Sequence, residues 1–314
     1  MEKTPNPSLV VLAFFSIYFI WGSTYLLNKV AVSELPPFML ASIRFISAGI
    51  LIFILCRIMR ISLAITKKQF INTVIAGFLF LAFGNGIVVW ALKYVDSGFA
   101  ALQISAQPLV ILLLMWIIDG KKIKPMSIVG VILGIIGIYL LVSQKEILNQ
   151  ENSILGMGMI FMCLLSWSYG SLFVAKANLP LNYFVNTGYQ MLTAGILLMI
   201  ASNLFGETWS YPTEWSSPTQ FSMILLILFG SIVAFTSFNY LLKTVSPEKV
   251  ATSTYVNPII ALLLGWYFLN EQLTLQSIVA AGILLTGVYF INTTKTLLIF
   301  ARFRGRVGRK VKQD

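Results

Sequence analysis

Arg44 is the residue with the most chemistry to offer. It stands inside an apolar stretch, 38–56, more than a helical turn from either end, whereas the other charges gather near the ends of such stretches. Its guanidinium is a planar fork that suits a carboxylate or a phosphate. In lipid it would cost a few kcal/mol even on lenient insertion scales, so it is expected to face the interior of a bundle or a water-filled cavity. The competing reading is snorkelling, since about six residues, or ~9 Å of helix, separate it from the nearer headgroups.

Two prolines, Pro108 and Pro258, fall near the middle of other apolar stretches, each preceded by an amide, Gln107 and Asn257. A proline removes a helix hydrogen bond and frees carbonyls that lipid cannot satisfy, so both are expected to break or gate their helices. The amides are placed to meet either the freed backbone or a substrate. Gln190 aligns with Arg44 in the second half of the chain and is polar as well. Ser23 and Asn85 sit among small residues, in Gly22-Ser23-Thr24 and Gly84-Asn85-Gly86, where close helix packing competes with substrate binding. Trp21, Trp90, Tyr189, Tyr240 and Tyr255 offer aromatic walls. The substrate-binding candidates are therefore Arg44, Ser23, Asn85, Trp90, Gln107, Gln190, Tyr255 and Asn257. There is no histidine, and the two cysteines, Cys56 and Cys163, lie in separate apolar runs, so no metal site, cofactor or catalytic triad is expected.

The elements that must hold these residues follow from composition. Of 314 residues, 58% are hydrophobic and 11% charged, too few polar groups to cover a water-facing surface. About 20 mostly apolar residues make a membrane span. That rule divides the chain into ten: 9–28, 38–56, 69–92, 98–118, 126–143, 154–175, 183–203, 219–242, 250–269 and 275–293. The connections are short, and the longest, with Trp209, Tyr211 and Trp215, reads as an interfacial aromatic belt. With both termini cytoplasmic, 18 of the 22 Lys and Arg fall inside and three outside, with Arg44 within a span. The positive-inside rule thus fixes the orientation expected, and the net charge of +11 is orientation signal rather than a sign of nucleic acid. No acid lies within a span, so strict proton coupling is not expected. The tail, 294–314, is basic and suits either an interfacial helix on anionic lipid or a disordered topogenic segment.

The chain is duplicated. At an offset of 150, residues 90–139 align without a gap on 240–289 with 14 identities, among them Lys93/Lys243, Pro108/Pro258, Trp116/Trp266 and Gly137/Gly287. Earlier, Ser47-Ala48-Gly49-Ile50-Leu51 meets Thr193-Ala194-Gly195-Ile196-Leu197. Five spans per half is an odd number, so the halves are expected to be inverted, the symmetry that alternating access uses.

Trp21-Gly22-Ser23-Thr24-Tyr25, the Pro36, Pro37, Arg44, Phe45 run, Asn257-Pro258 and Leu269-Asn270-Glu271-Gln272-Leu273-Thr274 resemble the EamA family of the drug/metabolite transporter superfamily. The resemblance implies an all-α inner-membrane carrier of ten helices in two inverted repeats, 9–143 and 154–293. Around the repeats stand a short cytoplasmic N-terminus, 1–8, an external linker, 144–153, and the basic tail. It implies an exporter of amino acids, small metabolites or drug-like compounds and not an enzyme. Unlike many members, the first half carries Asp119-Gly120-Lys121, with Lys121 opposite Glu271. A carrier of nucleotide-sugar or lipid-linked cargo, or an intramembrane lipid-modifying enzyme, are the alternatives. The oligomeric state is left open by the sequence.

Overall fold

The computed structural model describes residues 7–120, 125–144, 151–245, 250 and 253–292. The expected N-terminal segment up to 6, Lys121, most of the external linker and the basic tail lie outside the described residues, as does the side chain of Tyr255.

Ten helices make up the described chain. They are α1 (Pro7–Val32), α2 (Pro37–Ile58), α3 (Lys67–Ala91), α4 (Ser97–Ile118), α5 (Pro125–Val142), α6 (Ser153–Lys176), α7 (Tyr183–Leu204) and α8 (Ser217–Leu241), each long and apolar enough to cross a membrane. The shorter apolar helices α9 (Ser253–Leu269) and α10 (Leu275–Asn292) complete the set. Their starts follow ordinary capping chemistry: Thr66 and Gln69 form a reciprocal capping box at α3, and the Asn182 side chain accepts from the Phe184 and Val185 amides at α7. Large apolar side chains such as Ile117 and Ile132 are left exposed on the flanks, where lipid would cover them. Because α1 continues to Val32, Asn28 is an interior helical position and Lys29 stands in the last turn.

The halves pack in matched pairs. α2 lies along α7 and α5 along α10 in the most extensive contacts of the bundle. The others also come in pairs: α1 with α9 and α6 with α4, α1 with α8 and α6 with α3, α2 with α8 and α7 with α3. Exchanging the halves maps each pairing on its mate. Glycines set the closest seams. A Cβ on Gly195 would stand 2.8 Å from the Ile46 amide nitrogen, and one on Gly49 2.9 Å from that of Leu192, so these repeat-related glycines let α2 and α7 touch backbone to backbone. Gly137 and Gly287, also repeat mates, do the same for α5 and α10.

Three helices carry π-helical turns, at Ser16–Ile20 in α1, Phe78–Asn85 in α3 and Leu226–Val233 in α8. Such turns free carbonyls from the ordinary ladder, and in lipid those carbonyls need a donor. Each turn receives one from another helix. Asn257, in the amide orientation that suits its neighbours, donates to the Tyr18 and Ile17 carbonyls at 2.8 and 2.9 Å. Ser166 Oγ donates to Leu79 O at 2.8 Å, and Trp21 Nε1 to Gly230 O at 3.3 Å.

The paired prolines do not behave as a pair. α4 is interrupted between Ile104 and Gln107, and Pro108 stands at the start of its second segment. α9 runs through Pro258 without a break, which corrects the expectation of matched interruptions. The matched irregularities are instead the π-turns of α3 and α8, helices that occupy equivalent places in the two halves.

Candidate substrate site around Arg44

Arg44, in the second turn of α2, is 3% exposed. It points inward and does not snorkel. Nε donates to Ser231 Oγ of α8 at 2.8 Å, and Nη1 faces Asn28 Oδ1 of α1 and Asn85 Oδ1 of α3, each at 3.4 Å. Four helices from both halves therefore meet at one guanidinium. Nη2 lies against Gly230, whose added Cβ would stand 3.2 Å from it. No carboxylate of the described residues touches the cation, and Nη2 has no hydrogen-bond partner among them. The guanidinium also lies over the Phe45 ring, 4.9 Å from its centroid, so this buried charge is compensated by neutral oxygens and one ring face, without a carboxylate and with one edge of its fork unspent.

Asn85 and Ser231 end up here because of the π-turns. Phe83-Gly84-Asn85 and Phe229-Gly230-Ser231 are matching tripeptides in the two halves. Each closes or crosses a widened turn that rotates its polar side chain toward α2. The sequence carried that signal as a second FG-polar repeat, alongside the proline one. Asn28, at the end of the first expected span, carried no such signal; its Nδ2 donates to the Thr24 carbonyl at 2.8 Å.

Gln190, the repeat mate of Arg44, is fully buried in a second amide cluster. Its Nε2 donates to Asn186 Oδ1 at 3.1 Å, Asn186 donates to Asn239 Oδ1 at 3.3 Å, and Asn239 donates to Thr187 Oγ1 at 2.8 Å. Gln190 Oε1 is left without a partner among the described residues.

The remaining candidates are placed elsewhere. Ser23 Oγ donates to Ile20 O of its own helix at 2.7 Å, closing a turn instead of reaching Arg44. Trp90 packs with Phe38 and Phe205, ring centroids 5.3 and 5.5 Å away, near the ends of α2 and α7. Gln107 is half-buried at the break in α4. Asn257 serves the α1 carbonyls described above. Of the interfacial belt, Tyr211 is 74% exposed, but Trp215 is buried at 7% and donates to Ser210 Oγ at 2.9 Å.

The end of the bundle opposite the N-terminus is tied by three carboxylates, each reaching a helix of the other half. Glu207 accepts from the Phe38 and Met39 amides of α2 at 3.1 and 2.8 Å. Glu271 accepts from Ser97 N and Gly98 N of α4 at 2.7 and 3.1 Å. Glu34 accepts from Ser216 N at 2.9 Å and from the Ser216 and Thr219 hydroxyls at the start of α8. Carboxylates suit helix N-termini, where orphan N–H groups and the dipole favour negative charge. Lys29 is the complementary case, its Nζ donating to Leu92 O and Val95 O past the end of α3 at 2.7 and 2.8 Å. Hydrogen bonds from the Ser216 and Thr219 hydroxyls hold the Glu34 carboxyl below the usual carboxylate range.

Among the described residues, ten apolar helices in two matched halves packed around a buried arginine define the frame of a membrane carrier. The chain belongs to the EamA-like transporter family, which it matches over residues 8–143 and 154–293. It is 35% identical over 289 residues, 91% of each chain, to the uncharacterized inner membrane transporter YedA of Escherichia coli (strain K12). It is 24% identical to the uncharacterized transporter YoaV of Bacillus subtilis (strain 168), over 90% of this chain and 96% of that one. To the chloroplastic WAT1-related protein At3g02690 of Arabidopsis thaliana it is also 24% identical, over 88% of this chain and 68% of that one. A solved crystal structure shares its fold, with a TM-score of 0.65 at 19% identity, over 95% of this chain and 99% of its own.

Proposed function

We propose that this transporter is an inner-membrane exporter of small metabolites, amino acids or drug-like compounds, and that Arg44 is the centre of its substrate site. The observation that carries the reading is the Arg44 guanidinium, buried, without a carboxylate among its described neighbours, and held by residues of both halves. An anionic group on the substrate supplies the missing counter-charge. The charge count supports cytoplasmic termini, and on that reading the end tied by Glu34, Glu207 and Glu271 is the outer one. The matched helix pairings support inverted halves whose conformations exchange in alternating access.

The Glu34, Glu207 and Glu271 carboxylates cap N-termini, and no carboxylate of the described residues reaches Arg44. Transport is then facilitated or exchange-driven, without strict proton coupling. Purified protein in proteoliposomes tests the whole: counterflow of a carboxylate substrate is expected for the native chain and lost in Arg44→Gln. Undiminished counterflow in a correctly inserted Arg44→Gln protein would refute the assignment, and a stoichiometric proton flux would refute the coupling.

A further inference from the structure

Four aromatic rings close a circuit beside the Arg44 site. Trp21 of α1 meets Phe238 of α8 at 5.1 Å between centroids, and Phe238 meets Phe80 of α3 at 6.5 Å. Phe80 then meets Trp167 of α6 at 5.0 Å, and Trp167 returns to Trp21 edge-on at 6.3 Å. The circuit takes one ring from each of α1, α3, α6 and α8, the two pairs of helices that are equivalent between the halves.

Its height relative to Arg44 is fixed by the chain. Trp21 is seven residues from Asn28, Phe80 five from Asn85 and Phe238 seven from Ser231. On all three helices that displacement runs toward the N-terminal end of the bundle. At ~1.5 Å per residue the collar lies about 8–10 Å from the guanidinium on that side. The two are also bonded together, since Trp21 Nε1 holds the Gly230 carbonyl and Gly230 lies against Arg44 Nη2. Trp21, Trp167 and Phe238 are only half-buried.

The acceptors around the cation are already engaged. Asn28 Oδ1 and Asn85 Oδ1 face Nη1, and Gly230 O accepts from Trp21. Each of these oxygens is neutral and already shared with a donor, and no carboxylate of the described residues stands beside them, so a substrate ammonium placed next to the guanidinium would meet no counter-charge.

Resting on the anion site proposed above, we infer that the substrate class is an aryl carboxylate without an α-ammonium, long enough to place its acid on Nη2 and its ring against the collar. The guanidinium selects the charge, and the collar selects a flat apolar body at a set distance. Ring faces and edges pair at centroid separations like those of the collar itself, and such a pairing adds about 0.5–1.5 kcal/mol beyond area burial, up to about tenfold in affinity.

The test uses the purified full-length protein in nanodiscs and calorimetric titration with 3-phenylpropionate, hexanoate, 3-phenylpropionamide and phenylalanine. The native protein is expected to bind 3-phenylpropionate about tenfold more tightly than hexanoate, and more tightly than the amide or phenylalanine. In Phe238→Leu and, separately, Trp167→Leu, the preference over hexanoate is expected to collapse toward unity while hexanoate still binds. Equal binding of 3-phenylpropionate and hexanoate by the native protein, both dependent on Arg44, would overturn the aryl selection and leave the anion site standing. Phenylalanine binding as tightly as 3-phenylpropionate would overturn the exclusion of an ammonium. Carboxylate binding that survives Arg44→Gln would remove the anion site and this inference together.

Discussion

Glu271, in the connection after α9, holds the first turn of α4 through Ser97, accepting from its amide at 2.7 Å and its hydroxyl at 3.0 Å. The pair joins the two halves at the end of the bundle opposite the N-terminus. Leaving those donors unpaired costs about 1–3 kcal/mol for a buried group. Glu271→Ala is expected to lower the thermal unfolding midpoint in detergent, and Glu271→Gln, whose amide oxygen still accepts, to lower it less. An alanine variant as stable as the native chain would remove the tie from the account.

Arg44 is expected to contribute to binding at the expense of stability. A buried charge without a charged partner is destabilising, so Arg44→Gln should keep or raise the unfolding midpoint while abolishing anion binding. Arg44→Lys keeps the charge but not the fork that spans Ser231, Asn28 and Asn85, and should not restore transport. Thermal shift and counterflow on the same preparations separate the two effects.

The α2–α7 seam has no room for a side chain at Gly195, where a Cβ would stand 2.6 Å from Ile46 Cγ1 as well as 2.8 Å from the Ile46 amide nitrogen. Gly195→Val is expected to cost ~1–3 kcal/mol or more, because backbone cannot move aside as a flexible side chain does. Gly158→Ala, with nothing within 4 Å of the added carbon, is the matched control and should be near neutral. Size-exclusion homogeneity and unfolding midpoint of the two variants give the comparison.

Glu34 has a carboxyl pKa lowered by its hydrogen bonds to the α8 cap. A lowered folded-state value stabilises above the unfolded value of about 4 and is lost as pH falls through the folded one. The native protein should therefore lose the small advantage it holds over Glu34→Gln as pH is taken from 7 to 3. A difference in midpoint that stays constant across that range would contradict the assignment.

Pro258 lies within a continuous helix, whereas Pro108 opens a new segment after a break. Pro258→Ala is expected to leave fold and counterflow intact. Pro108→Ala, which lets α4 close its gap, should alter transport rate more than stability. Equal effects of the two would restore the symmetric role that their sequence positions suggest.

Hydropathy determined the helices, because a span long enough for a bilayer leaves a mark that depends on local composition alone. The duplication was equally legible, whereas the inward face of Arg44, which the sequence left in competition with snorkelling, was decided by the bundle that buries it. What surrounds Arg44 was decided by tertiary structure. Asn28 reaches it from the interior of α1, which runs on to Val32, and Ser231 because α8 widens into a π-turn whose Gly230 carbonyl takes its donor from Trp21 of α1. The carbonyls of the α1 π-turn claimed Asn257 from α9 and Ser23 from α1 itself, although by residue type alone each was as good a ligand as Asn85. Sequence states which groups are polar. Only the packed bundle decides which of them the backbone has already claimed, since in lipid every freed carbonyl must take its donor from within the bundle.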